Sequence, residues 1–249
     1  MRNRFMASAL ACALLSGGAV AAFAATANQT TLEFQVKPSS TKAGTVKKPK
    51  ITNLEVTIKG DTVDGTDQPA TSTSLNTVLP KQWVINSERW PQNKRCSIIE
   101  VNKDQNTASC PPGSKVGGGT SMAKVNKGQA EQNLVVTAFV IKNGDIGFFL
   151  KNDGGATVNQ MIVGNTVNGN KLNVKIPPEI QEPFPGLPTG ITLLKVNFKG
   201  TTMVKGKKIG ILATTGCVRG KWKFTEVNIY RDGKNTDTDT VKCTAAPRQ

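Results

Sequence analysis

Four cysteines, Cys96, Cys110, Cys217 and Cys243, together with the groups able to move protons or hold ions, set the chemistry open to this chain of 249 residues. Histidine is absent throughout, which removes the commonest general base at neutral pH and the commonest neutral metal ligand. Serine-histidine and cysteine-histidine catalysis go with it, as do zinc sites built on histidine. Ser39 and Lys42 match the S-x-x-K spacing, but that pair works at a helix start inside an enzyme, and here it falls in a polar loop. Glu179 and Glu182 suggest paired carboxylates for glycoside hydrolysis. They sit in a proline-rich stretch, in a chain with only three tryptophans and one tyrosine to serve as sugar platforms. Aspartates at 60–67 (GDTVDGTD) and 237–239 (DTD) offer oxygen ligands for calcium, yet neither stretch completes an EF-hand, and Asp with Gly is what tight turns require. The glycine-rich stretches 113–119 and 164–171 lack the closing Gly-Lys-Ser/Thr of a phosphate-cradling loop. These patterns predict no catalytic residue, no metal ligand and no cofactor. A hydrolase or lyase working through carboxylates alone stays as an alternative reading.

The opening 24 residues explain what the cysteines are for. Arg2 and Arg4 make a positive start, the apolar run 7–15 is too short to span a bilayer, and Ala22-Phe23-Ala24 supplies a small-x-small cleavage site. Residues 1–24 are therefore expected to be a secretory signal peptide, with Cys12 removed in it, no transmembrane segment left after cleavage, and a secreted or envelope-associated product. In an oxidising compartment an even set of four cysteines reads as two disulfides. Three pairings are possible, and the local one, Cys96 with Cys110 and Cys217 with Cys243, is the simplest. Each such bridge would add roughly 3 kcal/mol by restricting the unfolded chain.

The net charge is +15, and loss of Arg2 and Arg4 leaves +13 on residues 25–249. Such a balance draws the protein to anionic partners, of which envelope polymers and lipid headgroups suit an exported chain. Lysine outnumbers arginine 25 to 5 after the signal, whereas phosphate and guanine readout favours arginine's planar fork, so nucleic acid is disfavoured. Lys115, in the glycine-rich stretch, and Lys205, Lys207 and Lys208, at a turn, are the candidate anion contacts. Lysines on outward strand faces that keep a β protein soluble are the competing explanation.

What must position these groups is a set of strands. Alternation runs through 31–36 (TLEFQV) and through Leu54, Val56 and Ile58; 134–141 (LVVTAFVI) is almost continuously apolar, and Asn143-Gly144 then leads to 146–150 (IGFFL). Asn168-Gly169 separates 160–167 from 172–176, and both Asn-Gly pairs predict tight primed turns. A proline-rich crossover, 177–188, leads into 191–198. In 220–230 (GKWKFTEVNIY), Trp222 and Phe224 fall in one phase and Val227 and Ile229 in the other, which predicts a bulge or burial on both faces. No helical period is sustained. About a dozen short strands point to one all-β domain over residues 25–249, an antiparallel β-sandwich or jelly roll. The continuous run 134–141 is also the feature that would suit a small-ligand or lipid carrier.

Cys110-Pro111-Pro112-Gly113-Ser114-Lys115-Val116-Gly117-Gly118-Gly119-Thr120 resembles the CP-x-[AG]-S-K-[VI]-G-x-G-T signature of a group of exported bacterial β proteins of actinobacterial type. Trp222-Lys223-Phe224, then Tyr230-Arg231-Asp232-Gly233 and Cys243, is similar to the closing W-x-F…Y-x-D-G…C pattern of that group. The resemblance implies a secreted, disulfide-bonded, non-enzymatic β protein and no active residues. Within the motif, Gly117 to Gly119 are expected to bend the chain into a strand beginning near Thr120.

Overall fold

The computed structural model describes residues 25–63, 68–125, 131–152 and 158–246, so the signal segment 1–24 and the end of the aspartate-rich stretch 60–67 lie outside the described residues. Alternation becomes strand along most of the chain. The strands are β1 (Thr30–Pro38), β2 (Lys50–Ile51), β3 (Leu54–Thr62), β4 (Ser72–Val78), β5 (Trp83–Ile85), β6 (Lys115–Lys124), β7 (Gln132–Val140) and β8 (Ile146–Asn152). They continue as β9 (Asn159–Val167), β10 (Lys171–Lys175), β11 (Gly190–Phe198), β12 (Thr201–Val204), β13 (Lys207–Gly210), β14 (Leu212–Thr214), β15 (Lys221–Tyr230) and β16 (Lys234–Lys242). Among the described residues two short α-helices interrupt them, α1 (Ile98–Asp104) and α2 (Pro178–Gln181). The chain is all-β, as expected.

Eleven strands form one antiparallel sheet in the order β1-β3-β11-β6-β7-β8-β9-β10-β4-β15-β16. It folds over so that β3 and β11 face β4 and β10 across a shared apolar interior, in the manner of a sandwich, and its two ends come together. Because eleven is odd, the end strands β1 and β16 run parallel to each other and cannot continue the antiparallel ladder. Side chains join them instead. Asp237 Oδ2 accepts from Phe34 N at 2.7 Å and Asp239 Oδ2 from Val36 N at 2.8 Å. Asn235 Nδ2 donates to Thr30 O at 2.6 Å, and both carboxylate oxygens of Asp232 accept from Ala27 N. Asp237 to Asp239, expected in a turn, thus lie in a strand, where Asn235, Asp237, Asp239 and Val241 form the half-buried face of β16. Polar residues in strand phase carry no hydrophobic signal, so the sequence read them as loop.

Leu54, Val56 and Ile58 are buried as their alternation predicts. The run 134–141 is buried on both faces only in its second half, with Val135 exposed: Ala138 and Val140 point into the barrel, while Phe139 and Ile141 join Phe149, Met161, Val101 and Cys96 in a second cluster outside it. Helix α1 covers that outer cluster, and Asn102 anchors it through its amide to Met161 N at 2.7 Å and Met161 O at 3.2 Å. A strand covered on both sides needs no polar face, which accounts for the apolar residues from Ala138 to Ile141.

In β15 the expected bulge occurs, at Ile229/Tyr230, too late in the strand to bring Val227 and Ile229 inward. Trp222, Phe224, Glu226, Asn228 and Tyr230 form one continuous inward row, and Val227 and Ile229 point outward. The ladder to β4 shifts register only at Ile229/Tyr230. Trp83 packs edge-on against Trp222 and Phe224, with ring centroids 5.2 Å apart in both pairs, each buried ring contributing roughly 2–3 kcal/mol. The glycines 117–119 lie inside β6 and do not bend the chain before it: a Cβ at Gly119 would sit 1.8 Å from Lys195 O of β11. At Asn168-Gly169 both residues take positive φ, 52° and 67°, as a primed turn needs. At Asn143-Gly144 only the glycine does, because Asn143 Oδ1 accepts from Asp145 N at 3.0 Å and holds a longer loop.

Candidate functional site

Strand directions sort every connection to one of two barrel ends. Segments 39–53, 79–114, 141–145, 168–170 and 199–220 and the residues after β16 belong to one end. The expected bridges Cys96–Cys110 and Cys217–Cys243 are both formed there, with Cα atoms 4.6 and 5.9 Å apart. Two small sheets, β2-β14-β5 and β12-β13, cover it. Leaving aside α1, which lies on the outer wall, these connections carry Lys42, Lys47, Lys48, Lys50, Lys81, Arg89, Lys94, Arg95, Lys142, Lys199, Lys205, Lys207, Lys208 and Arg219, against Glu88 and Asp145. At the opposite end the described connections carry Glu131, Glu179, Glu182 and Asp232 against Arg231 alone. The charge of the described connections is segregated along the axis, although the strand ends beside the acidic connections carry Lys59, Lys124, Lys151, Lys175 and Lys234.

The four candidate lysines meet at the cationic end. Lys205, Lys207 and Lys208 are exposed on the β12–β13 hairpin, whose turn takes positive φ at Lys205 (48°) and Gly206 (74°). Lys199 N and Gly200 N, leading into the hairpin, both donate to Val116 O, which brings exposed Lys115 to its base. Lys94 Nζ bonds Thr202 Oγ1 of the hairpin at 3.3 Å. No ion pair involves Lys115, Lys205, Lys207 or Lys208 among the described residues. At the same end of the barrel a concavity of about 590 Å³, lined by none of these four lysines, opens between Pro80, Lys81, Trp83, Asn168 and Lys171. Arg95 differs from these cations: it is buried, and its guanidinium is spent on the carbonyls of Glu88, Trp90 and Lys142, pinning the first disulfide's approach.

The residues offered for other chemistry are dispersed. Glu179 Oε1 accepts from Gln160 Nε2 at 2.8 Å, while Glu182 turns away to Gly186 N at 2.6 Å and Arg231 at 3.3 Å. The Gly186 amide and then Arg231 hold the Glu182 carboxyl below its ordinary range, the reverse of what a general acid needs. Ser39 Oγ accepts from Asn53 N at 2.9 Å, with Lys42 exposed in the loop beyond. No group of three or more metal-ligating side chains gathers among the described residues.

One functional-looking residue escaped the sequence reading. Glu226 is 0% exposed on the inner wall, where Thr77 Oγ1 donates to its Oε2 at 2.6 Å. Burial pushes its carboxyl up to about 7, with the Thr77 hydroxyl and the Asn76 amide opposing. Its Oε1 has no partner among the described residues. Nothing in W-K-F-T-E-V-N distinguishes an inward glutamate from an outward one once Val227 and Ile229 suggest the opposite phase. No family model matches the chain, and no curated protein matches it.

Proposed function

We propose that this is an exported, non-enzymatic binding protein that docks through its disulfide-braced end onto anionic groups of the cell envelope, either acidic polymer or lipid headgroups. The observation that carries the reading is the segregation of charge among the connections: Lys115, Lys205, Lys207 and Lys208, in no ion pair among the described residues, lie with further cations at one end of the barrel, while the described connections at the other end are mainly acidic. Strand lysines such as Lys59, Lys124, Lys151, Lys175 and Lys234 lie toward the other end too, so the reading rests on the connections and not on the strand faces. The disulfides agree with an oxidising location, and no helix among the described residues is long and apolar enough to cross a membrane. The lysine-rich, arginine-poor cation set suits diffuse attraction to phosphate or carboxylate better than nucleotide readout. The suggested exported bacterial group, with no assigned catalysis, fits the same reading.

Co-sedimentation with phosphatidylglycerol vesicles, and separately with soluble polyglutamate, tests it. Binding should fall steeply between low and high salt and drop at least about tenfold in K205E/K207E/K208E. Preference for the vesicles identifies headgroups, and preference for the polymer identifies the acidic chain. Binding indifferent to salt, or equal on phosphatidylcholine vesicles, overturns the proposal.

A further inference from the structure

Two adjoining cavities of about 50 and 80 Å³ lie inside the barrel. They share Leu75, Phe148, Val174 and Leu194 as walls, so these side chains stand between them. The first is lined by apolar side chains with Thr77 its one polar residue, and the Thr77 hydroxyl is already given to Glu226. The second lies under α2 and the proline-rich crossover, where Ile180 and Thr189 close it. Gln181 holds that cover in place, its Nε2 donating to Ile176 O and its carbonyl accepting from Thr189 N, both at 2.7 Å.

Such a space is poorly suited to water, which needs two to four polar partners. Ser121, the other hydroxyl in the second cavity, is committed to Leu193 O at 3.1 Å. Thr189 Oγ1 is different: it is buried and has no hydrogen-bond partner among the described residues. A buried hydroxyl left unpaired is costly unless something completes it. No charged side chain lines either cavity, so an ionised guest would be stranded. Joined, the two approach the roughly 150 Å³ of an engineered apolar cavity that admits benzene, which is too little for a diacyl lipid.

We infer that the barrel interior is a binding site for a small neutral molecule of about one aromatic ring, whose single hydroxyl or carbonyl pairs with Thr189 beneath the crossover. The site is separate from the cationic end and stands whether or not that end binds polyanions.

Titrating the folded full chain with phenol and with benzene, followed by methyl resonances of Ile180 and Leu150 and by the thermal midpoint, tests it. Both probes should saturate and raise the midpoint, phenol binding about fivefold tighter through the added hydrogen bond. Thr189→Val should keep benzene and abolish the preference for phenol. Leu194→Phe, which fills the shared wall, should exclude both; Val174→Leu, a gentler filling, should weaken both if the larger change impairs folding. Absence of saturable shifts with either probe overturns the inference, and a phenol preference that survives Thr189→Val overturns the role of Thr189.

Discussion

The two ends of the barrel are built from the same strands and differ in nearly everything else. At one end long connections carry two disulfides, two small sheets, the buried tryptophans Trp83, Trp90 and Trp222, and a crowd of lysines. At the other, α2 and the crossover to β11 form a light cover over half-buried Ile180 and Thr189, with acidic residues outside. Cross-linking and charge coincide at the first end: outside α1, fourteen cations stand with two acids in the connections that the two bridges and the buried aromatic side chains brace.

The largest expected effect comes from removing that core. Trp222→Ala should lose about 3–5 kcal/mol in urea melts, whereas Ile180→Ala at the lightly covered end should lose under about 2 kcal/mol. Equal losses would abolish the contrast in packing.

Next comes Glu226, on the inner wall between the ends. Its carboxyl titrates near 4.5 unfolded and about 7 folded, so between those values the folded state holds a proton that the unfolded state has released. The raised value favours folding fully below pH 4.5, and that advantage disappears as pH rises to about 7, then stays lost. Wild type should therefore lose roughly 3 kcal/mol relative to Glu226→Gln between pH 4 and pH 8. Parallel stability curves for the two proteins would show that Glu226 is not buried as described.

The smallest effect belongs to the seam. Asp237→Ala strips the acceptor from Phe34 N and Asp239→Ala that from Val36 N, each at about 2 kcal/mol. Amide exchange at Phe34 and Val36 should quicken well before that of residues in β7. Unchanged protection would mean that β1 is held by its ladder to β3 and by Asn235 and Asp232, with no contribution from Asp237 and Asp239.

Much of this was legible in the residues. Leu54, Val56 and Ile58 announced a half-buried strand, Asn168-Gly169 a primed turn, and the four cysteines their two local bridges, because each signal depends on neighbours in sequence. Helix α1 was not legible: seven residues sustain no period, and Val101 and Asn102 make sense only against Phe139 and Met161. Nor was the seam, since Asp237 and Asp239 look like turn residues until β1 lies beside them. The turn at Lys205 was legible as well, because the following glycine marks it, and both Lys205 and Gly206 take positive φ there.

By itself the sequence determined an all-β, disulfide-bonded, histidine-free and strongly basic chain, since composition and short-range alternation depend on no partner segment. Only the tertiary structure decided that eleven strands would close through aspartates, that Glu226 would face inward, and that the cations of the connections would gather at one end. Those outcomes rest on strand order and direction, which bring together residues as far apart as Phe34 and Asp237 and which no local pattern encodes.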